Sequence, residues 1–520
     1  MIDTVALREK VLDLAIRGKL VPQDPNDEPA SVLLERIRAQ KQQMVKDGKL
    51  KAKDIKDDSI IFVGEDNLHY EKFADGTVKC IEDEIPFELP EGWAWERLSN
   101  LATFSGGKTP STSNREYWEG DILWVTSKDM KCKYIDSSLL MISEKGLEQM
   151  QLYPENTVLL VTRSGILRHT IPVAILKKPA TINQDLKAIM LYIPNLEEYI
   201  YICIKGMESR LILEYTKAGA TVENINFDAF QKILLPIPPE NQIQRIIDAT
   251  NDTDEVIGKL KIDQEDLIDI IDKTKSKILD LAIRGKLVPQ TPDDEPASEL
   301  LERIRAEKEE LIKQGKIKRD KKESVIFKGE DNSYYEKIGE KISCIDDEIQ
   351  FEIPNSWEWC SITNISEIIM GSSPDGLSIQ PIGNGVEFHQ GKIYFTDKYI
   401  GLSDKSTNEP SKIAPANSVL LCVRAPVGEV NITQREICIG RGLSAIYPYG
   451  AISSNFLFYW LRTYKTYLNL QATGSTFVAI TADTVKGIKI PLPPIEEQKR
   501  IVQTIESLYA QLNNIEKSLG

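Results

Sequence analysis

The chain has 520 residues, 41% hydrophobic and 28% charged, which is enough for two or three domains with their own cores and excludes a disordered tail. A formal net charge of −15 argues against a simple basic nucleic-acid-binding domain, since phosphate neutralisation normally leaves a positive footprint. The opening MIDTVALREK lacks the apolar core of a secretory signal, and no later run nears the roughly eighteen apolar residues of a membrane span, so a cytoplasmic protein with no membrane partner is expected.

In chain order, the first expected element is a helix over Val5 to Ile16. It runs into LDLAIRGKLVPQDPNDEPASVLLERIRAQK at 12–41, which matches 279–308 at 26 of 30 positions. Such self-similarity is a duplication. It continues more weakly: FVGEDNLHYEK from Phe62 resembles FKGEDNSYYEK from Phe327, and a later pairing aligns Trp93 with Trp357 and Trp95 with Trp359. The lysine-rich stretches KDGKLKAKDIK from Lys46 and KQGKIKRDKK from Lys313 sit in equivalent connectors, solvated or touching a partner or DNA flanks.

Each copy then enters a segment that differs from its counterpart, 87–238 and 351–493. Short β-rich runs (ILWVTS, TVLLVTRS, PVAILKK, KAIMLYI; KIYFT, SVLLCVRAP, GLSAIYP) alternate with Gly, Pro, Ser and Asn turns, which predicts an α+β domain in each. Both close on a similar phrase, LLPIPPENQIQRI ending at Ile246 and IKIPLPPIEEQKRI ending at Ile501.

Pro238-Pro239 suits a helix start, and a heptad follows from Glu240 to Arg284. One row is Ile243, Thr250, Ile257, Gln264, Ile271 and Ile278; the other is Ile246, Thr253, Leu260, Leu267, Thr274 and Leu281. Gly285 is the expected C-cap, and the rod would be about 67 Å long. The C-terminal segment repeats the rows with Ile505, Leu512 and Leu519 beside Ile501, Leu508 and Ile515. By the repeat offsets Gly520 corresponds to position 265 and Met1 to 268, so the two ends together rebuild the central helix. The expected fold is therefore α+β: two α/β domains separated by a long antiparallel two-helix coiled coil with pseudo-two-fold symmetry. The alternative is separate amphipathic surface helices. The expected division is 1–86 N-terminal helix and connector, 87–238 first domain, 239–285 central helix, 286–350 repeated connector, 351–493 second domain and 494–520 C-terminal helix.

Catalytic signatures are missing. Gly107-Lys108-Thr109 lacks the earlier glycine of a phosphate loop, where Ala102 stands, and Gly440-Arg441-Gly442 lacks the acidic partner of a dinucleotide fingerprint. His69, His169 and His389 have no neighbour at metal-ligand spacing, and the seven cysteines (Cys80, Cys132, Cys203, Cys344, Cys360, Cys422, Cys438) are odd in number and scattered, which predicts buried free thiols and no metal. No Asn/Asp-Pro-Pro-aromatic methyltransferase motif occurs, so a non-enzymatic chain with no cofactor of its own is expected.

Arg163 and Arg424 each follow an apolar run and precede a turn, where an arginine can fork onto guanine or a phosphate; a salt bridge within the domain is the alternative for either alone. Lys108, Thr109, Ser111, Ser113, Asn114 and Arg115 form a flexible hydroxyl and amide loop suited to phosphate and base edges, or an ordinary solvated loop. Asn183 and Gln184 have the chemistry to pair with adenine, with Arg441 at the matching place in the second half; capping and turn roles compete. The phrases KAGAT from Lys217 and ATGST from Ala472 correspond, and their glycines serve either close phosphate approach or a plain turn.

Taken in order, the phrases SGGKTPSTSNREYWEGDILWVTSKDM from Ser105, VTRSGILRHTIPVAI from Val161 and ATINQDLKAI from Ala180 resemble the first target recognition domain of type I restriction-modification specificity subunits. GSSPDGLSIQ from Gly371, GVEFHQGK from Gly385, CVRAPVGEVNI and CIGRGLSAI resemble another subtype of that domain, and the resemblance spans essentially the whole chain. Within these phrases Lys128, Arg168, Ser372, Ser373, Gln390 and Lys392 join the candidate DNA contacts. The resemblance implies a subunit that reads a bipartite, asymmetric double-stranded DNA site. Its partners would be two methyltransferase subunits and, where the complex also restricts, two restriction subunits. S-adenosylmethionine, ATP and Mg would sit on those partners. A coiled-coil scaffold with two protein-binding domains is the competing class.

Overall fold

The computed structural model describes residues 2–217, 222–317, 319, 323–381, 383, 385–472 and 479–518. Met1, Leu519, Gly520, the glycines of KAGAT and ATGST, and Lys318, Asp320, Lys321 and Lys322 of the second lysine stretch lie outside the described residues. The chain divides into two compact units of mixed helix and sheet, Ile2–Asp263 and Gln264–Gly520.

The first unit begins with α1 (Thr4–Ile16), capped by the Asp3 carboxylate, which accepts from the Val5 and Ala6 amides at 3.0 and 2.9 Å. Next come α2 (Ala30–Lys46) and a small antiparallel sheet of β1 (Ser59–Val63), β2 (His69–Phe73) and β3 (Val78–Cys80). The remaining elements are β4 (Ala94–Arg97), the one-turn α3 (Leu98–Leu101), β5 (Ala102–Gly106), β6 (Ile122–Val125), β7 (Tyr134–Ile135), β8 (Leu140–Ile142), the one-turn α4 (Glu144–Leu147), β9 (Val158–Val161), β10 (Val173–Leu176), β11 (Ala180–Ile182) and β12 (Leu186–Leu191). Then follow α5 (Glu197–Gly206), α6 (Glu208–Tyr215), β13 (Thr216–Lys217), β14 (Asn224–Ile225), the one-turn α7 (Phe227–Phe230), β15 (Leu234–Ile237) and α8 (Glu240–Ile283).

The main sheet has the order β5-β12-β9-β10-β7 and is antiparallel except at β7; a second sheet runs β11-β6-β8, with β11 and β6 parallel. The continuous apolar runs VLLV and VAIL of β9 and β10 are buried throughout, as strands covered on both faces must be.

The second unit repeats this plan with α9 (Ala297–Lys313), a small sheet of β16 (Ser324–Lys328), β17 (Tyr334–Ile338) and β18 (Lys341–Cys344), then β19 (Glu358–Ser361), the one-turn α10 (Ile362–Ile365) and β20 (Ser366–Met370). After them come β21 (Ile379–Pro381), β22 (Val386–His389), β23 (Lys405–Thr407), β24 (Ile413–Ala414), β25 (Val419–Cys422), β26 (Val430–Ile432), β27 (Ile437–Ile439) and β28 (Leu443–Pro448). The unit closes with α11 (Ser454–Thr463), α12 (Lys465–Gln471), α13 (Ala482–Lys486), β29 (Lys489–Leu492) and α14 (Ile495–Ser518). Its main sheet runs β20-β28-β25-β26, and β22 pairs in parallel with β27 as β6 does with β11.

The helix expected from Glu240 is observed over Glu240–Ile283, and all six residues of its first heptad row are buried. Gly285 takes a φ of +64° after it, as Gly18 does at +66° after α1, the C-cap geometry that glycine adopts without strain. In the first unit Trp93 Nε1 donates to Gln242 Oε1 at 3.0 Å and Arg245 pairs with the buried carboxylate of Asp27. In the second, Trp357 Nε1 donates to Glu497 Oε2 at 2.9 Å and Arg500 pairs with Asp294 at 2.5 Å. The same joint is built twice, once with the start of α8 and once with α14.

Each repeated connector holds a 17-residue helix and a three-stranded sheet. Two expectations are corrected. KIYFT is no strand, because Lys392–Tyr394 form a 3₁₀ turn that leaves Ile393 exposed. Only Cys203, Cys360, Cys422 and Cys438 are buried, while Cys80, Cys132 and Cys344 are exposed free thiols.

Glu198 on α5 ties the sheet to α8. Its carboxylate accepts from Lys133 at 2.8 Å, Tyr134 at 2.6 Å and Asn251 at 3.2 Å. Burial pushes this carboxyl up, but Lys133, Tyr134 and Asn251 outweigh it and hold it at about 2. A depressed carboxylate contributes stability above its unfolded value near 4.5 and loses it as pH falls towards about 2. Chemical denaturation between pH 6 and pH 3 is therefore expected to show a steeper loss of stability in the wild-type chain than in Glu198→Gln; parallel curves would refute this.

Candidate nucleic-acid interface

One tight turn organises the tip of each unit. Between β11 and β12 stand Asn183, Gln184 and Asp185, with the Asp185 amide donating to Asn183 Oδ1 and Asn183 Nδ2 donating to Asp185 Oδ2, both at 3.2 Å. Three neighbouring segments attach to this turn by backbone. Lys108 N donates to Ile182 O at 3.0 Å, Asn183 N to Val125 O at 3.0 Å, and Thr162 N to Asp185 O at 2.8 Å. The loop from Lys108, the turn after β6 and the residues after β9 consequently leave the sheets at the same end. Gly107 lies so close to the turn that a Cβ there would stand 2.2 Å from the Asn183 and Ile182 carbonyl oxygens.

The second unit makes the matching bonds around Gly440-Arg441-Gly442, between β27 and β28. Ser372 N donates to Ile439 O at 3.0 Å, Gly440 N to His389 O at 2.7 Å, and Val423 N to Gly442 O at 3.0 Å. A Cβ on Gly371 would stand 2.2 Å from Gly440 O. Gln184 and Arg441 thus occupy the same place on equivalent turns.

Arg163 and Arg424 occupy equivalent places too. Each stands two residues beyond its strand, held by an antiparallel bridge, Arg163 to Asn224 and Arg424 to Ala479. Both side chains are exposed, and neither makes an ion pair among the described residues, so the salt-bridge alternative finds no partner there. Lys108, Arg115, Lys128 and Arg441 are likewise exposed cations with no acidic partner among the described residues.

The loop from Lys108 to Arg115 is more ordered than its composition suggests. Trp124 Nε1 donates to Lys108 O and Trp118 Nε1 to Ser111 O, both at 3.1 Å, and the two indoles meet edge-on with centroids 4.9 Å apart. Thr109 donates to Gln184, Ser111 and Ser113 share a hydroxyl contact at 2.9 Å, and Asn114 caps the next turn by accepting from the Glu116 amide. Composition favoured a flexible loop because the indoles that pin it lie beyond its end.

Other candidates are placed differently. Asn183 is buried and spent on Asp185, the turn role. Arg168 is ion-paired with Glu223, whose carboxyl it holds below the usual range. Ser373 buries its hydroxyl, Ser372 offers its carbonyl to Ser411, and Gln390 is exposed. Lys392 stands 3.7 Å from Glu429, which also takes Lys465 at 3.0 Å.

Sequence reading missed the buried cluster behind β22. Glu387 accepts from Arg435 Nε at 2.6 Å, the Ser403 amide at 2.6 Å and His389 Nε2 at 2.8 Å. Burial pushes this carboxyl up, yet Arg435, Ser403 and His389 hold it at about 2, while burial lowers His389. The residues lie up to 48 positions apart, and only the i, i+2 spacing of Glu387 and His389 on one strand hinted at contact.

Residues 90–263 and 354–519 match the family described as the type I restriction modification DNA specificity domain. The specificity subunits of type I restriction enzymes EcoAI and EcoEI, both from Escherichia coli, are 26% and 27% identical over 98% and 99% of this chain and 89% and 90% of theirs. A solved chain from work on assembly and conformational transition of a type I R-M system is similar in fold, with a TM-score of 0.52 and 20% identity over 84% of this chain and 94% of that one. Among the described residues no helix is long and apolar enough to cross a membrane. With two-thirds of its length matched and its two halves built alike, the chain belongs to the type I restriction-modification DNA specificity family and is a non-catalytic specificity subunit.

Proposed function

We propose that each unit reads one half of a bipartite, asymmetric double-stranded DNA site with the tip around its tight turn. The observation that carries this is the equivalent placement of Arg163 and Arg424, each exposed two residues beyond its strand, held by a backbone bridge and without an ion pair among the described residues. A guanidinium so held can fork onto guanine in the major groove. Gln184 and Arg441, on equivalent turns, suit adenine and guanine respectively, so two tips of one design read different bases. Lys108, Arg115 and Lys128 contact phosphate, with Thr109, Ser111, Ser113 and Asn114 shaping the loop between them. Ser372, Gln390 and Lys392 serve the second tip. Asn183 and Ser373 act inside the fold, and Arg168, exposed but paired with Glu223, helps to position these groups.

In this reading residues 87–238 and 351–493 are the target recognition domains. The helix Glu240–Ile283, about 66 Å long, pairs with the two terminal helices as a coiled coil and sets the spacer between the half-sites, with pseudo-two-fold symmetry relating the halves. Two methyltransferase subunits, with restriction subunits where the complex also restricts, complete the assembly in the cytoplasm. They bring S-adenosylmethionine, ATP and Mg and much of the basic clamp that a chain of net charge −15 lacks.

Methylome sequencing of cells expressing the chain with its methyltransferase subunit tests the reading. A split motif is expected in the wild type. Arg163→Ala should relax one half and Arg424→Ala the other, each losing about 1–3 kcal/mol of discrimination. Loss of definition in both halves from either change, or in neither, refutes the assignment; no methylation with any partner points to the scaffold class. Phosphate contacts are tested by salt: the doubly substituted Arg115→Ala, Lys128→Ala complex should keep its motif while the slope of log K against log salt falls by about 1.8. An unchanged slope would remove both residues from the phosphate set.

A further inference from the structure

The second tip holds aliphatic side chains in solvent at places where the first tip has polar ones. Backbone pairing fixes which positions correspond. His389 O accepts from Gly440 as Val125 O accepts from Asn183, so four residues on Ile393 stands where the first tip has Asp129. Tyr399 lies parallel to Ile432 as Tyr134 does to Ile175, so three residues on Leu402 stands where the first tip has Ser137. Gly371-Ser372-Ser373-Pro374 matches Gly107-Lys108-Thr109-Pro110, which sets Leu377 opposite Ser113. Ile393, Leu402 and Leu377 are 84%, 73% and 99% exposed. Two residues beyond Leu402 the exchange runs the other way, with Asp404 opposite Leu139 of the first tip, which is 70% exposed. The apolar points are thus placed differently on two frames of one design.

Ile393 and Leu402 stand on adjoining segments that are firmly tied. Gly401 N donates to Tyr394 O at 2.7 Å, one residue from each of them. The Tyr394 hydroxyl donates to the Asp404 carboxylate and accepts from the Asp404 amide at 3.2 Å, and its ring meets His389 edge-on with centroids 5.4 Å apart. Ser403 Oγ donates to Phe388 O at 2.7 Å, which holds the returning segment against the end of β22, from which Gln390 and Lys392 leave. The same tip exposes Gln390, Lys392, Arg424 and Arg441. Two aliphatic side chains among amide and cationic groups are too little for the apolar centre of a protein interface. They match one feature of duplex DNA: in the major groove the C5-methyl of thymine is the apolar group on a base-pair edge.

We infer that Ile393 and Leu402 together contact the C5-methyl of one thymine in the half-site read by the second unit, and are specificity-determining residues for an A·T pair there. This rests on the reading above that the tip meets DNA; it adds the base and the side chains that read it.

The test uses the full chain in complex with its methyltransferase subunit and duplexes carrying the split motif that methylome sequencing defines. Each thymine of the motif is replaced in turn by deoxyuridine, which removes only the methyl group. One replacement, in the half that Arg424→Ala relaxes, should weaken binding by the wild-type complex about fourfold, as for one buried methyl-sized group. The Ile393→Ala, Leu402→Ala chain should bind the thymine and deoxyuridine duplexes equally. Both side chains are exposed, and unchanged melting of the variant checks its fold; the replacements in DNA need no variant. No methyl-sensitive thymine in that half, a sensitivity that persists in the variant, or a half-site without an A·T pair would each overturn the inference and leave the recognition reading standing. A complex that binds every duplex alike, whatever its bases, would overturn both.

Discussion

The tips of this protein depend on a close backbone packing that leaves no room for a side chain. At Gly107 and Gly371 a Cβ would press to 2.2 Å against the carbonyls of the turn between β11 and β12 or its counterpart between β27 and β28. That proximity lets the amides of Lys108 and Ser372 bond to the strand ends and brings the four segments of each tip to one place. The turn is thus a hub made of main chain. Side chains standing on it are free to change without moving it, which is how a recognition scaffold acquires a new specificity.

The duplication shows which parts carry that freedom. The joint of connector and helix is held identically in both units, with an aspartate, Asp27 or Asp294, buried beneath an arginine, and a tryptophan indole satisfied by the helix. Removing one member of such a pair strands a charge or a donor away from water, a far greater cost than keeping both. The partner of the indole has changed from Gln242 to Glu497, and because both side chains end in an oxygen that takes the indole proton, the change keeps an acceptor in place. At the tips the matched positions differ outright: Gln184 against Arg441, Lys108 against Ser372. Structure is conserved where a backbone or a buried charge would be left unsatisfied, and varied where the side chain faces water.

Much of this was legible in the sequence. The heptad row from Ile243 to Ile278 is buried along its whole length because period and burial follow from the same helix geometry. Gly285 ends the helix because its φ is positive, and Arg163 and Arg424 stand in equivalent places because the strands before them are equivalent. What was not legible depends on partners distant in sequence. Arg168 is separated from Glu223 by 55 residues and Arg435 from Glu387 by 48, so neither ion pair leaves a local pattern. Asn183 has the chemistry to read a base and is instead spent two residues away on Asp185, a competition that only the turn's burial decides. KIYFT has the composition of a strand, but no neighbouring strand pairs with it and it closes as a 3₁₀ turn.

Net charge and local charge answer different questions here. At about 0.1 M salt a charge is felt over roughly 10 Å, so the many acidic residues of a chain with net charge −15 do not set the field at a tip. What sets it is the local balance. Lys108, Arg115, Lys128 and Arg163 carry no acidic partner among the described residues, and Glu223, a nearby carboxylate, is neutralised by Arg168. Asp185 and Asp129 direct their carboxylates to Asn183, Thr126 and the Leu139 amide, fixing the turns from which the cations extend. Asp185 and Asp129 therefore serve as internal fastenings of the first tip and leave exposed beside them cations that have no acidic partner among the described residues, so a chain of net charge −15 still carries locally unpaired positive groups.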